Sequence, residues 1–178
     1  MERLSVVECL QMRYLNERES KRILPYDEDL MGRAHFLLHR QKTREREEAN
    51  RNRTKEHVYR IETERIEWLL TEYLLVRMEK IRSDFYKTDL HLLSEEEREY
   101  QQEYIRINTE TELRLPEEEI PERHREENSS EVHGIYVLDD LQDVVIDGEI
   151  LTLSPGEFLI GDISTAEDLV NDLAVLLV

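Results

Sequence analysis

The sequence predicts an α+β protein: an N-terminal four-helix domain over 1–116, a charged linker over 117–130 and a small β-rich domain over 131–178. Three observations carry this. Residues 57–82 repeat apolar side chains at the helical period without a Gly or Pro. Residues 117–130 hold no apolar run, only dense charge, one further proline and a Ser-Ser pair. Beyond them the pattern changes to short β-branched runs separated by Asp-Gly and Pro-Gly turns.

The first helix rests on Leu4, Val7, Gln11, Tyr14 and Leu15, which fall on one face of residues 1–18. The second follows Pro25, with acids in its first turn and Leu30, Ala34, Leu37 and Leu38 on its apolar face. Arg40 to Lys55 is almost wholly polar, with seven Lys/Arg against three Glu. It extends the second helix or turns into the third, and is expected to be solvated. The third helix, His57 to Arg82, is the dominant element. Ile66, Leu69, Leu70, Tyr73, Leu74, Arg77, Met78 and Ile81 recur along it, and at 1.5 Å per residue it spans about 37 Å. That is longer than a small domain needs for its own core. Burial is expected for Leu69, Leu70, Tyr73 and Leu74. Ser94 with Glu97 three residues on is a capping box that opens the fourth helix. Tyr100, Tyr104, Ile107 and Thr111 line one face, and Leu115-Pro116 ends it.

In the last unit, Val132 to Leu138 reads as a strand. Val144 to Ile146, Asp147-Gly148 and Ile150 to Leu153 read as a hairpin. Phe158 to Ile160 is another strand. Ser164 with Glu167 caps a short helix through Asp172, and Ala174 to Val178 is the last strand. This unit carries eleven acids and no Lys or Arg, and is too short to be robust alone. It is expected to dock on its own helices or on another subunit.

The net charge of −18 opposes phosphate backbones and anionic membranes and favours basic partners. The single cysteine, Cys9, permits no intramolecular disulfide. The first residues lack a signal-peptide core, and no apolar run approaches the ~20 residues of a membrane span, so a soluble, intracellular protein is expected. The chain has no GxGxxG, no GxxxxGK[ST] and no GxSxG. His35 and His39 share a helix face but lack the Glu of HExxH and a third ligand. No catalytic residue, cofactor or metal is therefore expected. Arg65 and Arg77 lie in or beside the apolar stripe, where a cation must be paired. An internal bundle salt bridge and a bridge to another subunit both remain open.

The string of residues resembles the fourth subunit of the GINS complex, the Sld-five family of eukaryotic DNA replication. Tyr14-Leu15-Asn16-Glu17-Arg18, Ile23-Leu24-Pro25-Tyr26 and Leu93-Ser94 with Glu96-Glu97 resemble family elements. The strongest part is Glu62, Glu64, Arg65, Ile66, Leu69, Leu70, Tyr73, Leu74, Arg77, Lys80 and Ile81, similar to E-x-ERI-x-x-LL-x-x-YL-x-x-R-x-x-KI. The chain lacks the family's Pro-x-Pro before the β domain and has Gly161-Asp162 where Arg-Tyr is common.

The resemblance implies a non-catalytic nuclear subunit of a heterotetramer with three other GINS subunits. That tetramer joins the MCM ring and the RecJ-like Cdc45 protein as the replicative helicase. Candidate subunit-interface residues are Arg65, Leu69, Tyr73, Leu74, Arg77, Ile81, Tyr100 and Tyr104. The alternative is an acidic homodimeric helical adaptor unrelated to replication. A DNA-binding role through Arg40 to Lys55 is the weakest reading.

Overall fold

A computed structural model describes residues 4–83, 88–112, 132–163 and 167–178, with the side chains of 110–112 outside the description. The fold is α+β: a helical N-terminal part followed by small antiparallel sheets. Helix α1 (Val6–Glu19) starts at a capping box of Ser5 and Glu8, and α2 (Glu28–Glu48) is capped by Asp27. The polar stretch after α2 does both things open to it. It extends the helix to Glu48, then turns at 49–52, where the Asn52 side chain accepts from the Thr54 and Lys55 amides. That cap starts α3 (Arg53–Ser83) four residues before the expected boundary. A short 3₁₀ turn (Leu90–Leu92) leads into α4 (Glu95–Glu112). The linker and the Leu115-Pro116 ending lie outside the described residues.

Strands β1 (Val132–Val137), β4 (Phe158–Asp162) and β5 (Val175–Leu177) form one antiparallel sheet in the order β4-β1-β5. Strands β2 (Leu141–Ile146) and β3 (Glu149–Leu153) form the expected hairpin. Its turn residues Asp147 and Gly148 have φ of 53° and 80°, the two positive values of a type I′ turn. Helix α5 (Glu167–Asn171) precedes β5, and the proposed cap Ser164 lies outside the described residues.

Two cores matter for function. Leu10, Tyr14, Leu30, Met31, Ala34, Ile66, Leu69, Leu70 and Tyr73 join α1, α2 and α3. The β unit's own core, including Ile135, Val137, Val170, Val175 and Leu177, also takes in Leu24 from the helical part. The β unit therefore docks on its own helices.

The joint is polar as well as apolar. Asn16, fully buried on α1, donates from Nδ2 to the Val175 carbonyl at 3.1 Å, and its Oδ1 accepts from the Leu177 amide at 2.9 Å. One side-chain amide thus pairs with the outer edge of β5 as a neighbouring strand would, covering an edge that otherwise invites association. Arg13 adds a bond from Nη2 to the Asn171 carbonyl at 2.6 Å.

The expected face of α1 is right in part. Tyr14 is buried and Val7 and Leu15 pack half-buried against the helical core, but Leu4 and Gln11 are exposed, and Leu10, Arg13, Asn16 and Glu17 are the other buried side chains of α1. Three of those four are polar, so apolar periodicity found only part of the inward face.

Candidate protein interface and its internal anchor

Helix α3 carries two stripes with opposite chemistry. The inner stripe is Thr63, Ile66, Leu69, Leu70, Tyr73, Arg77 and Ile81, all buried. Arg77 is 0% exposed. A guanidinium has five N–H donors, and each of them is used. Nε and Nη2 form a two-pronged contact with Glu97, at 2.7 and 2.9 Å. Nη1 donates to Glu17 at 2.9 Å and to the Leu24 carbonyl at 2.6 Å, and Nη2 also donates to the Leu92 carbonyl at 2.9 Å. The rings of Tyr26 and Tyr73 lie 5.4 and 5.5 Å from the guanidinium carbon. Lys80, one turn on, reaches Glu17 at 2.8 Å and the Arg22 carbonyl at 2.8 Å. Two cations, Arg77 buried and Lys80 at its edge, thus balance two buried carboxylates.

This node ties four chain segments together. Glu17 brings α1, Leu24 the loop before α2, Leu92 the 3₁₀ turn and Glu97 the start of α4. Glu97 has a second task. Its backbone amide donates to Ser94 Oγ at 3.2 Å while its Oε2 accepts from the Ser94 amide at 3.0 Å, completing the expected capping box. One carboxylate therefore starts α4 and fastens it to α3.

Burial acts to lower the Arg77 pKa, but the Glu97 hydrogen bonds and the fields of Tyr73, Glu17 and Glu97 outweigh it and raise the value above that of an ordinary arginine. Tyr73 is pushed up by burial, and Tyr26 by burial and then by the Glu97 charge. Arg77 stays charged, as an anchor rather than a proton carrier.

The outer stripe is Val58, Ile61, Arg65, Trp68, Glu72 and Leu75, a strict three-four spacing over more than two heptads. Its apolar members are open: Val58 53%, Ile61 50%, Trp68 53% and Leu75 56% exposed. Trp68 packs edge-on to Tyr14 at 5.6 Å, and Arg65 donates from Nη2 to Gln11 Oε1 at 3.2 Å. These contacts tie α1 to the rim of the stripe without covering it.

The eight candidate interface residues therefore separate. Leu69, Tyr73, Arg77 and Ile81 are withdrawn as direct contacts, because they pack inside this chain's own core. Arg65 lies on the open stripe. Leu74, expected to be buried, is 37% exposed. It is a flank position, because the core repeat steps from Leu70 to Tyr73 to Arg77 and passes beside it. Tyr100 and Tyr104 are half-buried and stack at 6.0 Å. For Arg77 the internal bridge is the observed one, made to Glu17 and Glu97 on the neighbouring helices α1 and α4.

Reading by period missed Val58, Ile61, Trp68 and Leu75, though their spacing was visible beneath the stronger inner stripe. It also missed Asn16 and Glu17 as core groups, for which a single helical turn of polar residues gives no signal. The Gly161-Asp162 departure has a local reason. A Cβ on Gly161 would sit 2.7 Å from Ile146 Cγ2, and the Asp162 amide donates to Asp147 Oδ1 at 2.9 Å, so this position is shaped to the hairpin.

His35 and His39 are exposed, and the described residues contain no group of three metal-ligating side chains. No helix among the described residues is long and apolar enough to cross a membrane. The basic stretch folds back on its own helix pair, with Lys42 paired to Glu67 at 2.5 Å and Arg44 over the Tyr59 ring at 6.0 Å. The chain matches no protein-family model and no curated protein sequence.

Proposed function

We propose that the chain is a non-catalytic structural subunit of the heterotetrameric GINS complex, acting in the nucleus within the replicative helicase beside the MCM ring and the RecJ-like Cdc45 protein. The observation that carries this reading is the open stripe of α3. An anchored helix presents Val58, Ile61, Trp68 and Leu75 to the outside at the spacing of a helix-packing seam. A partner helix seated there would bury them.

The sheet adds a second open surface, since Tyr136, Phe158 and Ile160 stand on the face away from the β core. Arg65 and Glu72 supply charges of both signs on the seam, which set register in such contacts. The resemblance supplies the identity of the partners.

The test is co-expression with the three sister subunits. The expected result is a one-to-one-to-one-to-one assembly that resists size exclusion, and that is lost when Trp68 and Leu75 are both changed to Glu. A chain that ignores the sister subunits and forms a stable homodimer by light scattering contradicts the proposal and supports the acidic adaptor. Salt-sensitive DNA binding by the chain alone, lost on replacing the arginines of 40–55, would move the reading toward nucleic acid.

A further inference from the structure

A groove of 1020 Å³ runs between the start of α2, the C-terminal third of α3 and the start of α4, away from the outer stripe. Leu74 and Met78 give it accessible apolar surface, with buried Met31 and Leu93 behind them. Small-molecule sites enclose about 300–1,000 Å³ around the ligand, whereas this groove lies at the top of that range and is open to solvent, with room for a segment of chain. Methionines on its floor can adapt to varied side chains. At Gly32, on the α2 wall, an added Cβ would meet nothing within 4 Å, so the wall is notched there and a backbone can approach closely.

The rim has one dominant sign. Glu28 closes the α2 side, and Glu95 and Glu96 close the α4 side. Among the described residues none of these three carboxylates has an ion-pair partner; Glu96 accepts only from Ser94 Oγ, at 3.1 Å. The remaining acid of the cluster, Glu97, is committed to Arg77. The one arginine on the lining, Arg98, donates to the Leu90 and Leu93 carbonyls. His35, His91 and Tyr26 complete the ionisable lining.

We infer that this groove receives a helical segment of a partner chain, with apolar side chains along one stripe and Lys or Arg on both flanks. The apolar stripe would lie on Leu74 and Met78, and the flanking cations would meet Glu28, Glu95 and Glu96. A second copy of this chain does not supply such a segment. Its exposed α3 stripe carries Glu62 and Glu64 on its two flanks, the wrong sign for an acidic rim, and its basic stretch, 40–55, is almost wholly polar with no apolar stripe to seat.

The inference stands apart from the proposed assembly, because its test uses the full chain alone, tethered at low density for surface plasmon resonance. The probe is a synthetic 20-residue amphipathic helix with a Leu/Met stripe and Lys flanks, compared with the same stripe flanked by Glu. The Lys-flanked peptide is expected to bind at least about tenfold more tightly and to weaken as salt rises.

Gly32→Leu, whose Cβ meets nothing within 4 Å and whose longer side chain would occupy the notch, is expected to cut its affinity about tenfold, as is the double change Glu95→Lys with Glu96→Lys. Glu64→Lys, on the exposed side of α3, is the charge control and is expected to change it less than about twofold. Equal binding of the two peptides overturns the inference. So does binding that Gly32→Leu leaves unchanged, since attraction to the acidic surface in general would then suffice.

Discussion

The two faces of α3 differ in what they leave unfinished. On the inner face a charged side chain is fully buried, and every one of its donors has a partner within this chain. On the outer face four large apolar side chains at helix-packing spacing stay about half exposed. An isolated buried charge is costly, so the inner face had to be completed internally. Exposed apolar surface is tolerated in a lone chain and is what a partner covers. The difference separates residues that hold this chain together from residues free to hold it to another, although both sets sit on one helix.

The largest expected effect tests the inner face. Arg77→Met would leave Glu17 and Glu97 buried without their cation, and would release the Leu24 and Leu92 carbonyls. The loss should be about 3–5 kcal/mol of stability, read as a lower urea midpoint. A change below about 1 kcal/mol would mean that the node is not a structural anchor.

Next is the joint to the β unit. Asn16→Leu removes two bonds and leaves the Val175 carbonyl and Leu177 amide unpaired at a buried edge, costing about 2–3 kcal/mol. Hydrogen exchange at the Leu177 amide should speed up more than at the β1 amides. Uniform exchange across the sheet would show that the edge is held by other contacts. A smaller effect is expected of Ser94→Ala, about 1 kcal/mol, because the Glu97 carboxylate keeps its Arg77 contact when the cap is lost.

The legibility of these parts in the sequence follows their chemistry. The hairpin was readable because Asp147-Gly148 can adopt the positive φ pair that few other residues accept. Both N-terminal and fourth-helix caps depend on a Ser and a Glu three apart, and the latter was read correctly. The inner stripe was legible in its apolar members, and Arg77 stood out as a cation that needed a partner. Its partners were hidden, since Glu17 lies sixty residues away and Glu97 is one of 42 acids. That the β unit docks was legible from its small size, but the place where it docks was hidden. Asn16 imitates a peptide group, and no spacing rule marks an asparagine that will do so.

The measurement that bears most directly on the contrast is a pair of readings on one variant, Ile61→Glu with Leu75→Glu. Both positions are on the outer stripe and exposed, so the variant should keep its unfolding free energy, read from the urea midpoint, within about 0.5 kcal/mol of the parent. In the same preparation, co-purification with the sister subunits should fall to background. A strongly lowered midpoint with assembly intact would contradict the account, because the outer stripe would then belong to this chain's own core rather than to a partner.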